Sequence, residues 1–179
     1  LPIAEIEESK PSPEEPPIVL FVGRIAPNKG IHDLVASMAV LRGHLPDVRL
    51  RVVGTSTTDT YDAALEKLTT SLDLAGVVTL TGWVSDDELE REYQRASVFC
   101  TLSDHEGFGV PILEAMAYGL PIVAYDNTAV GETVGDAGLL LSSKEPAVVA
   151  SALERVLSDT SLSGRLSRSG RQRSKLFSG

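Results

Sequence analysis

The residues best suited to chemistry in this chain are two carboxylates, Glu106 and Glu114, which flank a glycine-rich turn with seven residues between them. Pro111, inside this segment, suits the first position of a helix because its φ is fixed and it lacks an N–H group. Free amides at a helix start, together with the helix dipole, bind anions such as phosphate. The amides that we expect to converge there belong to Gly107, Phe108, Gly109 and Val110.

The two carboxylates also have a chemistry of their own. Each can accept two hydrogen bonds from hydroxyl groups, and the vicinal diol of a sugar or a ribose offers that pair. An anionic Glu106 beside a diphosphate would be repelled, so at such a site it must face a sugar. The residues leave a structural alternative open, because acidic side chains also favour helix starts through the dipole alone, and Glu114 also fits a solvated helix position.

A second group of charged residues follows the first predicted strand. Residues 18–22 are apolar, and Gly23 then leads into a turn that contains Arg24 and Lys29. Apolar residues at helical spacing begin directly afterwards, over 31–41. Because ligands bind at the carboxyl ends of parallel strands, both cations are placed to hold an anion, although ordinary loop cations would give the same pattern.

The segment that begins at Glu106 resembles the E-x7-E segment of the retaining GT-B glycosyltransferases of family 4. Glu, Gly-Phe-Gly, Pro, Glu-Ala-Met-Ala, Gly and Pro-Ile-Val-Ala fall in register with that family. In the family the first Glu lies near the donor sugar hydroxyls and the second binds the nucleotide ribose, which implies these roles for Glu106 and Glu114. The family's Gly-Arg and the following Lys hold the donor diphosphate, so Arg24 and Lys29 would act with Glu106 in catalysis.

The resemblance extends the donor-binding set to the ends of three strands. Gly54 and Gly82 each close a predicted strand, as loops that approach a ligand often require. Gly23 corresponds to the Gly of the family's Gly-Arg pair and joins Gly54 as a donor-binding candidate. The family's nucleobase pocket is lined by residues that follow the position of Gly82, which makes Val84 a candidate. Trp83 fits either that pocket or a packing position.

One segment departs from the family's pattern. Where the family often has small residues followed by Pro-Glu, this chain reads Asn-Thr-Ala-Val-Gly-Glu over 127–132, and Gly131 replaces the usual Pro. Thr128 and Ala129 can still offer backbone amides to the diphosphate. We therefore keep both as donor-binding candidates.

The resemblance implies that the chain serves transfer of a hexose from a nucleotide diphosphate sugar to an acceptor hydroxyl of a polysaccharide, glycolipid or small glycan, with retained configuration. The donor would be UDP- or GDP-linked, and no other cofactor is expected. No Asp-x-Asp pair is present, and His32, His44 and His105 lack metal-ligand spacing, so donor binding is predicted to need no metal.

The resemblance covers the C-terminal, donor-binding half of such an enzyme. The partner it implies is an N-terminal acceptor-binding domain, without which the chain is expected to be inactive. One alternative is a non-catalytic nucleotide-sugar-binding regulatory module. Another is a doubly wound domain of a different class, but the turn after Gly23 lacks G-x-G-x-x-G and P-loop patterns, and the strand ends lack the acidic cluster of a receiver domain.

The length and composition of the chain limit its domain organisation and its possible partners. The chain has 179 residues, 42% of them hydrophobic, and a net charge of −9. Residues 1–17 contain five Glu, one Lys and repeated Pro, typical of a linker, which leaves 18–179 as the nucleotide-sugar-binding domain. The acidic balance argues against nucleic acid as a partner. No long apolar run or signal pattern is present, so a cytoplasmic protein is expected.

The C-terminal stretch has the opposite charge. It carries Arg165, Arg168, Arg171, Arg173 and Lys175. These cations predict either a solvated helix face or a peripheral contact with anionic lipid on the inner face of the membrane. The single cysteine, Cys100, lies in an apolar run and is predicted to be buried.

The pattern along the chain predicts an α/β fold with a doubly wound, parallel, Rossmann-like sheet. Predicted strands cover 18–22, 49–53, 77–80, 98–102, 122–125 and 139–141. Predicted helices cover 31–41, 61–72, 86–96, 111–118, 146–157 and 162–175. Ser85 and Glu88 form a capping-box pattern that fixes the start of the third helix.

Overall fold

The computed structural model describes residues 14–107 and 109–178, with Thr128 described in its backbone only. Six strands form one sheet in the order β3-β2-β1-β4-β5-β6, and all neighbouring strands are parallel. The strands are β1 (Ile18–Val22), β2 (Arg49–Val53), β3 (Val78–Leu80), β4 (Val98–Thr101), β5 (Ile122–Tyr125) and β6 (Gly138–Leu141). The predicted parallel, doubly wound sheet is therefore confirmed.

Seven α-helices lie in the described part of the chain. They are α1 (Ile31–Leu41), α2 (Asp59–Ser71), α3 (Asp86–Arg95), α4 (Val110–Ala117), α5 (Thr128–Val134), α6 (Pro146–Ser158) and α7 (Thr160–Ser174). Short 3-10 turns cover Pro27–Lys29 and Gly135–Ala137. All six predicted helices are present, with ends that differ by at most a few residues, and α5 is additional.

The central strands β1, β4 and β5 are buried on both faces, because their side chains alternate between two apolar layers. On β1, Val19 and Phe21 pack in one layer with residues of α1, α2 and α6, whereas Leu20 packs in the other with residues of α3, α4 and α5. Cys100 of β4 is fully buried in the first layer, as predicted, and burial raises the pKa of its thiol. The near-continuous apolar strands therefore reflect helices on both sides of the sheet.

Side-chain caps explain most of the differences at helix starts. Helix α2 begins at Asp59, before the predicted Tyr61, because the Thr58 side chain accepts a hydrogen bond from the Tyr61 amide at 3.3 Å. Helix α7 begins at Thr160, before the predicted Leu162, because Asp159 caps it in the same way. Such caps satisfy amides that have no partner within the helix.

Helix α5 lies in a segment for which the sequence predicted no helix. Asn127 caps it by accepting a hydrogen bond from the Val130 amide at 3.1 Å. Gly131 and four β-branched residues among the seven residues of α5 gave no helical pattern, since these residues have low helix propensity. The buried side chains of Val130 and Val134 stabilise the helix by packing instead.

The basic C-terminal stretch is only in part the solvated helix face that was one of its two predicted roles. Arg171 donates to the carbonyl oxygen of Tyr118 at 3.3 Å, and Arg173 donates to the carbonyl oxygens of Thr133 and Glu132. These bonds join α7 to the ends of α4 and α5, whereas the side chains of the other three cations are exposed. None of the helices in the described part of the chain combines the length and apolar content of a bilayer crossing.

We expect Ser85→Ala to lower the free energy of unfolding by about 1 kcal/mol, because it removes the cap of α3. The predicted capping box is confirmed: the Ser85 side chain accepts from the Glu88 amide at 3.2 Å, and the Glu88 carboxylate accepts from the Ser85 amide at 3.0 Å. Urea unfolding measures the change, with Ser161→Ala at an exposed position of α7 as control. Equal stability of the two variants would contradict the capping role.

Candidate functional site

The carboxyl ends of β1 and β4 form the point at which the sheet reverses its strand order. The chain leaves β1 towards α1 on one face, whereas it leaves β4 towards α4 on the other. The two connections therefore diverge and open a crevice between them, where ligands bind in open α/β sheets. The candidate residues of both sequence motifs lie on these two connections.

Lys29 and Glu106 join the two connections across this crevice. The Lys29 ammonium lies 3.4 Å from each carboxylate oxygen of Glu106, and each side chain is only 14% exposed. The sequence separates these residues by 77 positions and did not predict the ion pair. Because both charges are partly withdrawn from water, each needs a partner in the absence of another ion.

Hydrogen bonds to backbone carbonyl oxygens hold the two connections together beside this pair. The carbonyl oxygen of Asn28 accepts from the Asp104 amide at 3.0 Å and from the Ser103 hydroxyl at 3.4 Å. The Asn127 side-chain amide, at the start of α5, donates to the carbonyl oxygen of Ser103 at 3.2 Å. The residues around Lys29 and Glu106 are thus fixed to one another and to α5 before any ligand arrives.

Arg24 lies directly after β1 on the same connection. Its side chain is exposed, and the structure gives it no ion pair with another residue of the described ranges. Gly23, beside it, donates its amide hydrogen to the carbonyl oxygen of Val53 at 3.0 Å. An exposed guanidinium at a strand end is free to bind two oxygens of one anion.

Gly54 has a steric role that the sequence did not predict. A Cβ atom there would lie 1.8 Å from the carbonyl oxygen of Gly23, and the φ of Gly54 is 145°. The close approach of the two backbones after β1 and β2 therefore requires glycine at position 54. Its role as a donor-binding residue remains a prediction.

The glycine-rich turn leads into α4. The helix begins at Val110, so Pro111 holds the second position and not the predicted first. Gly107 is exposed, Gly109 is buried and has a φ of 62°, and Val110 is 54% exposed. The candidate Phe108 lies outside the described residues.

Glu114 lies in the second turn of α4, where it is partly buried. The interpretation of Glu114 as a solvated helix residue is therefore wrong. The hydroxyl of Tyr93 on α3 donates to its Oε2 atom at 2.8 Å and lies 3.3 Å from the carbonyl oxygen of Pro111. Tyr93 stacks on Tyr118, with ring centroids 5.2 Å apart. No spacing in the sequence pointed to Tyr93, because it is 21 residues from Glu114.

Val84 and Trp83 line a cavity of about 400 Å³ beside the end of β3. Trp83 is 76% exposed and therefore does not pack within the described part of this chain. Arg51 and Glu92 form a bidentate ion pair in the wall of the cavity, with N–O distances of 2.8 and 2.6 Å. The predicted nucleobase candidate Val84 therefore lies at an open, polar cavity.

The remaining candidates, Thr128 and Ala129, occupy the first two positions of α5, where their amides have no acceptor within the helix. A cation that the sequence did not single out also lies at this edge of the sheet. The Lys144 ammonium pairs with Asp104 and lies 4.7 Å from the centroid of the Tyr125 ring. The hydrogen bond from Lys144 lowers the pKa of Asp104.

Donor binding was predicted from the sequence to need no metal. Within the described ranges, no three His, Cys, Asp or Glu side chains are grouped so that they could hold a metal ion. Metal independence therefore stays a prediction.

Comparison with known proteins places this arrangement in a family. A family model described as glycosyl transferases group 1 matches residues 2–173. The chain is 34% identical over 183 residues to the D-inositol 3-phosphate glycosyltransferase of a Nocardioides species, covering 93% of this chain and 39% of that protein. It is 32% identical over 167 residues to the GDP-mannose-dependent alpha-(1-6)-phosphatidylinositol monomannoside mannosyltransferase of Mycobacterium tuberculosis, covering 88% of this chain and 43% of that protein.

Among solved structures, the fold is similar to that of sucrose-phosphate synthase from Thermosynechococcus elongatus. The TM-score is 0.80 at 33% sequence identity, and the match covers 92% of this chain and 42% of that one. The chain thus spans about 40% of the length of the curated relatives that it matches.

Proposed function

The chain belongs to the glycosyl transferases group 1 family and has the fold of one half of a GT-B glycosyltransferase, and from this premise we propose that it binds the donor, a nucleotide diphosphate sugar. The observation that carries the proposal is the pairing of Lys29 with Glu106 across the crevice between β1 and β4. The pair brings together a cation suited to phosphate and a carboxylate suited to sugar hydroxyls.

The proposed roles follow from the charge of each group. Arg24 and Lys29 bind the diphosphate and stabilise the negative charge that grows on it as the sugar leaves. Glu106 accepts hydrogen bonds from the sugar hydroxyls. The donor must then break the ion pair, because Lys29 turns to the phosphate oxygens while Glu106 turns to the sugar.

The amides at the start of α4 add to the diphosphate site. Positions 107 to 110 precede and open this helix, whose dipole is positive at that end. Glu114, which accepts a hydrogen bond from Tyr93, binds the ribose. Val84 lines the pocket for the nucleobase. These residues would therefore contact the donor in order, from its sugar to its base, along the carboxyl edge of the sheet.

The proposed reaction is transfer of a hexose to an acceptor hydroxyl with retention of the anomeric configuration. The acceptor is held by an N-terminal domain of the same enzyme, since the chain spans about 40% of the length of its relatives. A UDP- or GDP-linked donor is proposed, and the guanine form is supported by the relative whose name specifies GDP-mannose.

Titration calorimetry of the 179-residue chain with UDP, GDP, ADP and their hexose conjugates tests the proposal. We expect one diphosphate to bind at least about tenfold more tightly than the others, and its nucleoside to bind more weakly still, because the cations contact the phosphates. Titrations with Mg²⁺ and with a chelator test the predicted metal independence.

Two outcomes would contradict parts of this proposal. Absence of binding to every nucleotide at millimolar concentration would rule out donor binding by this chain. Equal affinity for the diphosphate and its nucleoside would rule out the phosphate roles of Arg24 and Lys29. Hexose transfer by a protein that contains both halves separates an enzyme from a module that only binds the donor.

A further inference from the structure

Tyr93 is a fully buried side chain that carries a polar group into the layer between α3 and α4. Its exposed fraction is 1%, and its ring lies among apolar residues of the second core layer. Burying a hydroxyl costs free energy unless it finds a partner. The partner here is the carboxylate of Glu114, at 2.8 Å from Oη.

The direction of this hydrogen bond is fixed by the chemistry of the two groups. A carboxylate only accepts, so the Tyr93 hydroxyl donates to Oε2. Burial, and then the adjacent Glu114 charge, raise the pKa of Tyr93 well above its ordinary value. The hydroxyl therefore keeps its proton and remains a donor.

The position of the Tyr93 ring is fixed as well. It stacks on Tyr118 with an angle of 8° between the ring planes, and α3 is held at its start by the capping box. A rigid donor that binds one oxygen of Glu114 limits the rotation of the whole carboxylate. Within the described ranges, the structure gives the Oε1 atom of Glu114 no donor.

We propose that Tyr93 is a positioning residue that orients the Glu114 carboxylate towards the ribose diol of the donor. The inference rests on the proposed function, because it assigns to Tyr93 a part in the ribose preference of that same site. Oε2 is held by the Tyr93 hydroxyl, and Oε1 is left to accept from a ribose hydroxyl. A phenylalanine would fill the same space without fixing the carboxylate.

A purely structural Tyr93 makes a different prediction. If the ring only fills the core, its hydroxyl can affect stability but not the discrimination between ribose and deoxyribose ligands. The decisive quantity is therefore the ribose preference, which is the Kd of a 2′,3′-dideoxynucleoside diphosphate divided by the Kd of the matching ribonucleoside diphosphate. The base is the one that binds most tightly in the calorimetric panel.

We expect a ribose preference of at least about tenfold in the wild-type chain, because a carboxylate accepts from both hydroxyls of the diol. Glu114→Gln should lower this preference to near one. Tyr93→Phe should lower it about three- to tenfold, while the Kd of the dideoxy ligand changes little. Tyr118→Phe is the matched control, since it removes a neighbouring hydroxyl that the structure does not bond to Glu114, and it should leave the preference unchanged.

A second measurement covers the case in which Tyr93→Phe does not fold. With ¹³Cζ-labelled tyrosine in the wild-type chain, four resonances are expected, one for each Tyr. The Tyr93 resonance should shift on addition of the ribonucleotide and not on addition of the dideoxynucleotide. A Tyr93 signal that responds to neither ligand, although both bind, would overturn the inference.

The outcomes separate this inference from the proposed function. A wild-type ribose preference that is lost in Glu114→Gln but kept in folded Tyr93→Phe overturns the role of Tyr93 and leaves the donor site intact. Binding of nucleotides without any ribose preference overturns the roles of both Glu114 and Tyr93. Absence of nucleotide binding overturns the proposed function, and the inference falls with it.

Discussion

Lys29→Ala is expected to weaken binding of the preferred nucleoside diphosphate to this chain by about ten- to a hundredfold. The reason is the loss of a charge-assisted hydrogen bond to phosphate, typically about 1.5–3 kcal/mol. The unpaired carboxylate of Glu106 acts in the same direction, because it then repels the diphosphate. Calorimetric titration of both proteins with the diphosphate and with its nucleoside measures the effect, which should be small for the nucleoside.

Two further variants separate the causes of this loss. Lys67→Ala removes the same charge from an exposed position of α2 and should leave the affinity unchanged. Glu106→Gln removes the ion pair but keeps Lys29, so binding of the diphosphate should be maintained or strengthened, while the added affinity of the sugar conjugate should fall. If Lys29→Ala and Lys67→Ala weaken binding equally, net charge and not a phosphate contact explains the result.

Gly54→Ala is expected to lower the free energy of unfolding by about 3 kcal/mol, and therefore the Tm by roughly 6–12 °C. The added Cβ would lie 1.8 Å from the carbonyl oxygen of Gly23, so the backbones after β1 and β2 would have to separate. The positive φ of Gly54 adds strain for any residue with a side chain. Thermal and urea unfolding measure the change.

Gly76→Ala provides the matched control for this effect. Gly76 also has a positive φ, of 79°, but a Cβ there would meet no atom within 4 Å. Its loss of stability should therefore be limited to the conformational cost of about 1 kcal/mol. If Gly54→Ala were no more destabilising than Gly76→Ala, the backbones near Gly23 would be able to separate at little cost.

The sequence predicted the architecture well because the elements are strongly patterned. Apolar strands and capped amphipathic helices alternate along the chain, and β1, β2, β5 and α1 have the predicted bounds. Helix α5 was missed because it owes its stability to the packing of Val130 and Val134 and not to propensity. Likewise, Arg171 and Arg173 were interpreted as solvated because their carbonyl partners are distant in sequence.

The groups available at the candidate site could be read from the sequence. They are the cations after β1, the carboxylates around the glycine-rich turn, and the helix start between them. Residue type and local spacing suffice for that, since they fix charge, hydrogen-bonding capacity and local conformation. Which of these groups meet follows from the tertiary structure. The pairing of Lys29 with Glu106, the hydrogen bond from Tyr93 to Glu114 and the contact that requires Gly54 all depend on strand order and helix packing, which bring distant segments together.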